Sequence, residues 1–266
     1  MKIGIFLEAN LAKPGGVQEY GRGLYDYLEK KGHQVCFIVP GYLTQKENRE
    51  VKTLGKRLEL EKITEMIGVS ASVALTYAKF TEIKNFLIKE DFDLIHFQAP
   101  FGLLGYQLLW IAQQQKIAKV MSFLVFSQSN LVPNLVNFSV GPILRKLSSS
   151  FDCQIALSKA AREFARKMFP GKYSIVPAGV DLGRFHSRGE KVKKYLDKKK
   201  NILFVGRLDK RKGILVLLKA FALVKEKFPM VRLIIVGKGP EEKKAKRYVR
   251  KKKIADVEFI GYVIKE

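Results

Sequence analysis

Two hydrophobic periods alternate along the chain. Residues 2–6 (KIGIF) form a short continuous apolar run that leads into a Gly/Pro loop. Val17, Tyr20, Leu24, Tyr27 and Leu28 then recur at helical spacing, and Gly32 follows as a helix stop. Residues 34–40 are β-rich. Residues 44–67 are charged and carry a sparse stripe of Leu54, Leu58, Ile63 and Met66, which predicts a helix, and 73–89 predicts a clearer one. LIHF (94–97) and VMSFLVF (120–126) are apolar without alternation, as strands covered on both faces must be. Two shorter strands are expected at 155–157 and 175–176. This βαβ alternation predicts a parallel sheet with helices on its faces.

The pattern breaks at residues 184–200, which are polar and end in a lysine run, and then restarts. Strands at 201–205, 232–236 and 257–260 alternate with helices at 213–227 and 241–253. The expected organisation is an N-terminal α/β domain over 1–180, a linker over 181–200, and a second α/β domain over 201–266. Three strands fall short of the five or six usual in a doubly wound domain, so the second domain reads as incomplete.

Composition narrows the classes. The chain has 266 residues, 47% of them apolar, with mean hydropathy -0.05, which excludes a disordered or wholly membrane-embedded protein. The formal charge is +24. Residues 1–150 hold 18 basic and 13 acidic side chains, and residues 151–266 hold 31 and 12, so the excess lies in the C-terminal part. Such a field favours anionic partners: phosphorylated small molecules, an anionic membrane face or nucleic acid. Cys36 and Cys153 sit in apolar runs and read as buried thiols of a reducing compartment. The first apolar run stops at Glu8, too short for a signal peptide. The charge-free stretch 120–144 contains Ser, Gln, Asn and two prolines, and reads as a strand, loop and helix rather than a membrane span.

Three loops carry candidate chemistry. In AKPGGVQEY (12–20), Gly15 and Gly16 let backbone approach a ligand, and the helix that follows turns its N–H groups toward it; this suits a phosphate, and equally a plain tight turn. In LFVGRLDKRKGI (203–214), Arg207 and Lys212 emerge after a strand, where open α/β sheets bind ligands. Arginine offers phosphate a rigid fork and lysine a mobile charge. VGKGPEE (236–242) lacks the third glycine of a dinucleotide fingerprint. His96, beside Gln98 and Pro100, is placed near a strand end at a sheet edge, where a histidine more often serves structure than catalysis. No metal-ligand spacing or Ser/His/Asp set is present. The run KKAKRYVRKKK (243–253) reads as a solvated helix face or an anionic-surface contact. It has too few aromatic residues for a specific nucleic-acid platform.

These motifs, in their order, resemble retaining glycosyltransferases of the group 1 (family 4) type with the GT-B fold. The opening through GGVQ and GHQV is most similar to phosphatidylinositol mannosyltransferase-like members. FDLIHFQAP (92–100), IALSKAAREF (155–164), VPAGVDLGRF (176–185), FVGRLDKRKG (204–213) and VGKGP (236–240) follow in sequence. The resemblance implies transfer of a mannose-like sugar, with retention, from a nucleotide-diphosphate sugar to a lipid or glycan acceptor. The donor would lie in a cleft between two Rossmann-like domains. It implies donor contacts from Gly15, Gly16, Arg207, Lys212 and Val263, acceptor-side positions for Gln18 and His96, and no metal or cofactor beyond the donor substrate. A cytoplasmic protein, peripheral on the inner membrane face and its anionic lipids, is expected.

Two departures stand out. Leu124 occupies the place where the family commonly has a site histidine, so the catalytic residue is unassigned. The family's later donor-gripping carboxylates would lie past Glu266, so a C-terminally truncated chain is expected, its exposed sheet edge open to pairing with a second chain. The alternatives are a non-catalytic remnant that binds an anionic ligand, or a basic membrane-surface binder.

Overall fold

The structure is a computed structural model that describes residues 1–12, 15–41, 48–57, 76–99, 102–124, 146, 149–183, 185–186 and 188–263. The chain divides into two compact units, Met1–Phe185 and His186–Glu266.

In chain order the first unit contains β1 (Lys2–Phe6), α1 (Gly16–Lys30), β2 (Gln34–Pro40), β3 (Val51–Leu54), β4 (Lys56–Arg57) and β5 (Thr76–Tyr77). It continues with α2 (Phe80–Glu90), β6 (Leu94–Ala99), α3 (Leu103–Gln114), β7 (Ala118–Phe123), β8 (Cys153–Ala156), α4 (Lys159–Met168) and β9 (Tyr173–Ile175). Seven of these strands form one parallel sheet in the order β3-β2-β1-β6-β7-β8-β9. The sequence winds outward from β1 to β3, then returns to build the other half from β6. The β1/β6 boundary is therefore the topological switch point, the place in open α/β sheets where ligands bind beyond the strands' carboxyl ends.

Both faces of this sheet are covered, which accounts for the unbroken apolar runs. Tyr25 of α1, with Leu24 and Leu28, packs on Ile5, Leu7 and Phe37. On the opposite face Ile83 and Leu87 of α2, Leu108 of α3 and Phe164 of α4 bury Ile38, Phe97 and Phe123. Helix ends follow local chemistry. Gly32 adopts φ +83° just past α1 and donates its N–H to Glu29 O at 2.9 Å. Ser158 caps α4 by accepting the Ala161 N–H at 3.1 Å.

The second unit holds β10 (Lys200–Val205), α5 (Ile214–Lys227), β11 (Val231–Val236), α6 (Glu242–Lys251) and β12 (Val257–Gly261). Its parallel sheet runs β10-β11-β12. Leu218 and Phe221 of α5 and Ala245 of α6 bury Leu233 and Ile235 on one face. On the other face Leu203 and Val205 are 63% and 68% exposed. Among the described residues β10 and β12 are edge strands.

Several sequence expectations need correction. The helix expected over 44–67 is overturned in its described part, 48–57. There Val51–Leu54 pairs with β2, and Gly55 turns at φ +73° into β4. The helix expected from Val73 begins only at Phe80, because Thr76 and Tyr77 pair antiparallel with β4. The loop and helix expected within 125–144 lie outside the described residues. Cys36 is buried, but Cys153 is only half-buried. The helix expected from residue 213 begins at Ile214: Lys212 ends a single 3-10 turn, Lys210–Lys212, and Gly213 at φ +69° separates that turn from α5.

Candidate functional site

In the first unit the carboxyl ends of β1, β6 and β7 and the start of α1 lie around the switch point. Gly15 precedes α1 in an extended conformation, and its carbonyl accepts the Glu19 N–H at 3.0 Å. A Cβ at Gly15 would run into the Gln18 amide, whereas one at Gly16 would meet open space. Of the two candidate glycines, then, only Gly15 has a close neighbour, the movable end of the Gln18 side chain. Gln18 folds back over this loop and donates Nε2 to Asn10 O at 3.1 Å.

His96 sits within β6, not at the end of it, and β6 is interior to the sheet, which corrects the sheet-edge placement. It is 5% exposed, and its Nε2 lies 2.8 Å from Ser122 Oγ; that same hydroxyl is 3.1 Å from the Tyr20 hydroxyl on α1. Burial depresses the His96 pKa to about 4, so its ring is neutral near pH 7. His96, Ser122 and Tyr20 thus form a polar chain between sheet and helix. Two residues on from His96, the Gln98 amide is buried, and neither its oxygen nor its nitrogen has a hydrogen-bond partner among the described residues. It fits only because α1 carries Gly21 above it, where a Cβ would approach Gln98 Nε2 to 2.8 Å. Leu124 follows β7 directly, half-buried, with its N–H bonded to Ala99 O at 3.2 Å. Its side chain can neither donate nor accept.

Glu8, Tyr20, Ser122 and Gln98 were not singled out by sequence reasoning. The one available signal was for Glu8, an acid directly after an apolar strand. Its carboxylate accepts the Gly102 N–H at the start of α3 and the Thr76 hydroxyl at 3.2 Å. Burial nevertheless raises its carboxyl above the ordinary range, against the lowering effect of Gly102, Thr76 and Gly105. Glu8 therefore ties β1, β5 and the N-terminus of α3 together at the carboxyl end of the sheet.

In the second unit two loops meet beyond the strand ends. Gly206 N–H bonds Val236 O at 3.0 Å, Leu208 N–H bonds Lys238 O at 3.1 Å, and Glu241 N–H bonds Leu208 O at 2.9 Å. Cβ atoms at Gly237 and Gly239 would strike the carbonyl oxygens of Gly206 and Leu208. The Gly-x-Gly pair thus exists to let two backbones touch. Asp209 caps the 3-10 turn through the Lys212 N–H at 3.1 Å. Burial works to raise the Asp209 carboxyl, but the Lys212 N–H and the Arg211 guanidinium outweigh it and hold the pKa below the usual range. The Arg207 side chain is 71% exposed and only 3.9 Å from Asp209 at its nearest. The Lys212 ammonium has no partner among the described residues. Val263 follows β12 and is exposed. Within this unit Arg207, Lys212 and the Gly206–Gly237 contact all lie at the carboxyl end of the sheet. Gly15, Gln18 and His96 belong to the other unit.

Parallel sheets in both units, with helices packed on them and glycine loops at their strand ends, define a protein of Rossmann-like α/β architecture. The Glycosyltransferase Family 4 model matches residues 14–184 and the Glycosyl transferases group 1 model matches 188–266. The chain belongs to the family 4, group 1 glycosyltransferases. It is 27% identical over 243 residues to phosphatidyl-myo-inositol mannosyltransferase of Mycolicibacterium smegmatis, covering 91% of this chain and 60% of that protein. It is 26% identical to alpha-monoglucosyldiacylglycerol synthase of Acholeplasma laidlawii, covering 99% and 70%. The chain therefore spans about 60% of the length of the mannosyltransferases it matches. Its fold is that of the pneumococcal O-GlcNAc transferase GtfA in complex with UDP and GlcNAc, with TM-score 0.64 at 12% identity over 99% of this chain and 76% of that one. This is the GT-B fold. Among the described residues no helix is long and apolar enough to cross a membrane.

Proposed function

We propose that this protein takes part in transfer of a sugar from a nucleotide-diphosphate sugar to a lipid acceptor, with retention and with a mannose-like donor. The observation that carries the reading is the loop 206–213. Two cations, Arg207 and Lys212, stand exposed there past the carboxyl end of β10, on a turn held rigid by Asp209. Departure of a nucleoside diphosphate builds negative charge on its terminal phosphate, and fixed cations offset that charge without reorganising. Gly15 and Gly16, with the N–H groups at the start of α1, serve the donor from the first unit. Val263 flanks the nucleotide base. Gln18 stands on the acceptor side, and His96, being enclosed, supports that side through Ser122 and Tyr20.

Nucleoside diphosphate binding to the purified chain, followed by calorimetry, tests this. Arg207→Ala and Lys212→Ala should each weaken binding by about 1–3 kcal/mol, the scale of a charge-assisted contact. Binding that is unchanged in both variants would remove the assignment. Transfer from a panel of nucleotide sugars to lipid acceptors, with the product anomer assigned, tests the chemistry. Leu124 favours a second reading, a nucleotide binder that does not transfer; binding without product would select it.

A further inference from the structure

The opposite end of the second unit carries a different surface. Where β10 and β11 begin and α5 ends, a cleft of about 560 Å³ opens between Lys198, Lys200 and Lys227. Its floor is apolar: Ile202 and Val231 lie at the bottom, and Phe228 and Met230 stand at the mouth, 61% and 51% exposed. None of the three lysines has an acidic partner among the described residues. The neighbouring carboxylates are already engaged. Asp256 is held to about pKa 2 by Lys199 and Lys225, and Asp197 takes Arg232. One acid nearby, Glu226, is exposed on α5. Nor are the rim lysines needed to hold the turn after α5. Lys225 serves that turn, donating to Val231 O at 2.9 Å and to Pro229 O. The turn after α6 comes to the same edge, where Asp256 meets Lys199 and Lys225.

A lysine rim around exposed aromatic and thioether side chains matches one environment well: the boundary of an anionic bilayer. There lysines meet lipid phosphates, and apolar tips enter the acyl region. A soluble anion would use the rim and leave Phe228 and Met230 in water. A nucleic acid would want aromatic faces repeated along a groove. We infer that the cleft rimmed by Lys198, Lys200 and Lys227 is a docking surface for an anionic phospholipid bilayer. It lies at the amino ends of the strands, roughly 17 Å along β10 from the Arg207 loop. Membrane docking and diphosphate binding therefore use opposite ends of one unit. This extends the lipid-acceptor reading above, but it is measured without turnover, so either can fail alone.

The test is co-sedimentation of the full chain with phosphatidylcholine vesicles, with and without phosphatidylglycerol. Binding should require phosphatidylglycerol. The triple variant Lys198→Gln, Lys200→Gln, Lys227→Gln should bind about a hundredfold more weakly, roughly fivefold per lysine. Phe228→Ser should lose roughly tenfold with the charges intact. Lys243→Glu with Arg247→Glu, on the exposed face of α6, should change binding much less than the triple variant. Thermal melts of each variant report folding, and nucleoside diphosphate affinity should be unchanged in the triple variant. Equal vesicle binding by wild type and triple variant would overturn the proposal. So would an equal loss in the α6 control, no effect of Phe228→Ser, or an oligonucleotide bound more tightly than the vesicles.

Discussion

The Gln98 amide is enclosed beneath α1, and among the described residues neither of its polar atoms has a partner. A buried polar group without partners costs about 1–3 kcal/mol, and an apolar side chain of the same shape escapes that cost. Gln98→Met is therefore expected to raise stability by about 1 kcal/mol or more in urea denaturation. A destabilised variant would mean that the amide is paired. His96 raises a second residue-scale expectation. Its pKa is about 4 in the fold, below the ordinary 6.5. A group with a depressed basic pKa binds fewer protons folded than unfolded, so stability is lost as pH falls through the window from 6.5 to 4. The loss should approach about 3 kcal/mol. Parallel urea titrations of the wild type and His96→Gln at pH 7 and pH 4 measure it; the variant should show the shallower fall, and matched slopes would place the titration elsewhere. Neither residue's role was legible in sequence. The string LIHFQAP shows that a histidine and a glutamine lie near a strand end. It does not show that the face they share lies under a helix beginning some eighty residues earlier.

At the scale of elements, what was local was legible. Gly32 after α1 acts within its own turn, so its chemistry can be read from neighbours in the chain. β3, β4 and β5 were not legible. Their pairing partners are distant, and a charged stretch with one Leu in four satisfies a helical stripe as easily as a short strand beside β2. VGKGP shows the same limit. In sequence its glycines resemble part of a dinucleotide fingerprint, but Gly237, at φ +132°, and Gly239 serve the contact between loops 206–208 and 237–241. Gly237→Ala meets both a backbone conformation unfavourable to L-residues and the Gly206 carbonyl. We expect it to cost about 2 kcal/mol or more, by denaturation, and to disturb the Arg207 loop as well. Gly16→Ala, with open space around the new methyl, is expected to leave stability within about 1 kcal/mol of wild type.

For the whole molecule, the two units have separate cores, and every described residue from 174 to 194 is exposed. Arg188 and Lys191 lie in this stretch. Limited trypsin digestion is expected to cut there first and to leave a fragment near the size of residues 1–188; initial cleavage inside β6 or α3 would contradict that. The sequence by itself determined the alternation of strands and helices, the restart near residue 200, the concentration of positive charge in the C-terminal part, and the order of motifs that marks the family. Each is a property of neighbouring residues or of composition, and survives in an unfolded chain. Only the tertiary structure decided that β1 and β6 meet at a switch point, that Glu8 reaches across 94 positions to Gly102, and that His96 and Gln98 are enclosed. It also decided that the lysines of 198, 200 and 227 converge around Phe228. These arise when distant segments pay their closure entropy together to bury apolar surface, and the polar groups carried along take whatever partners the packing leaves them.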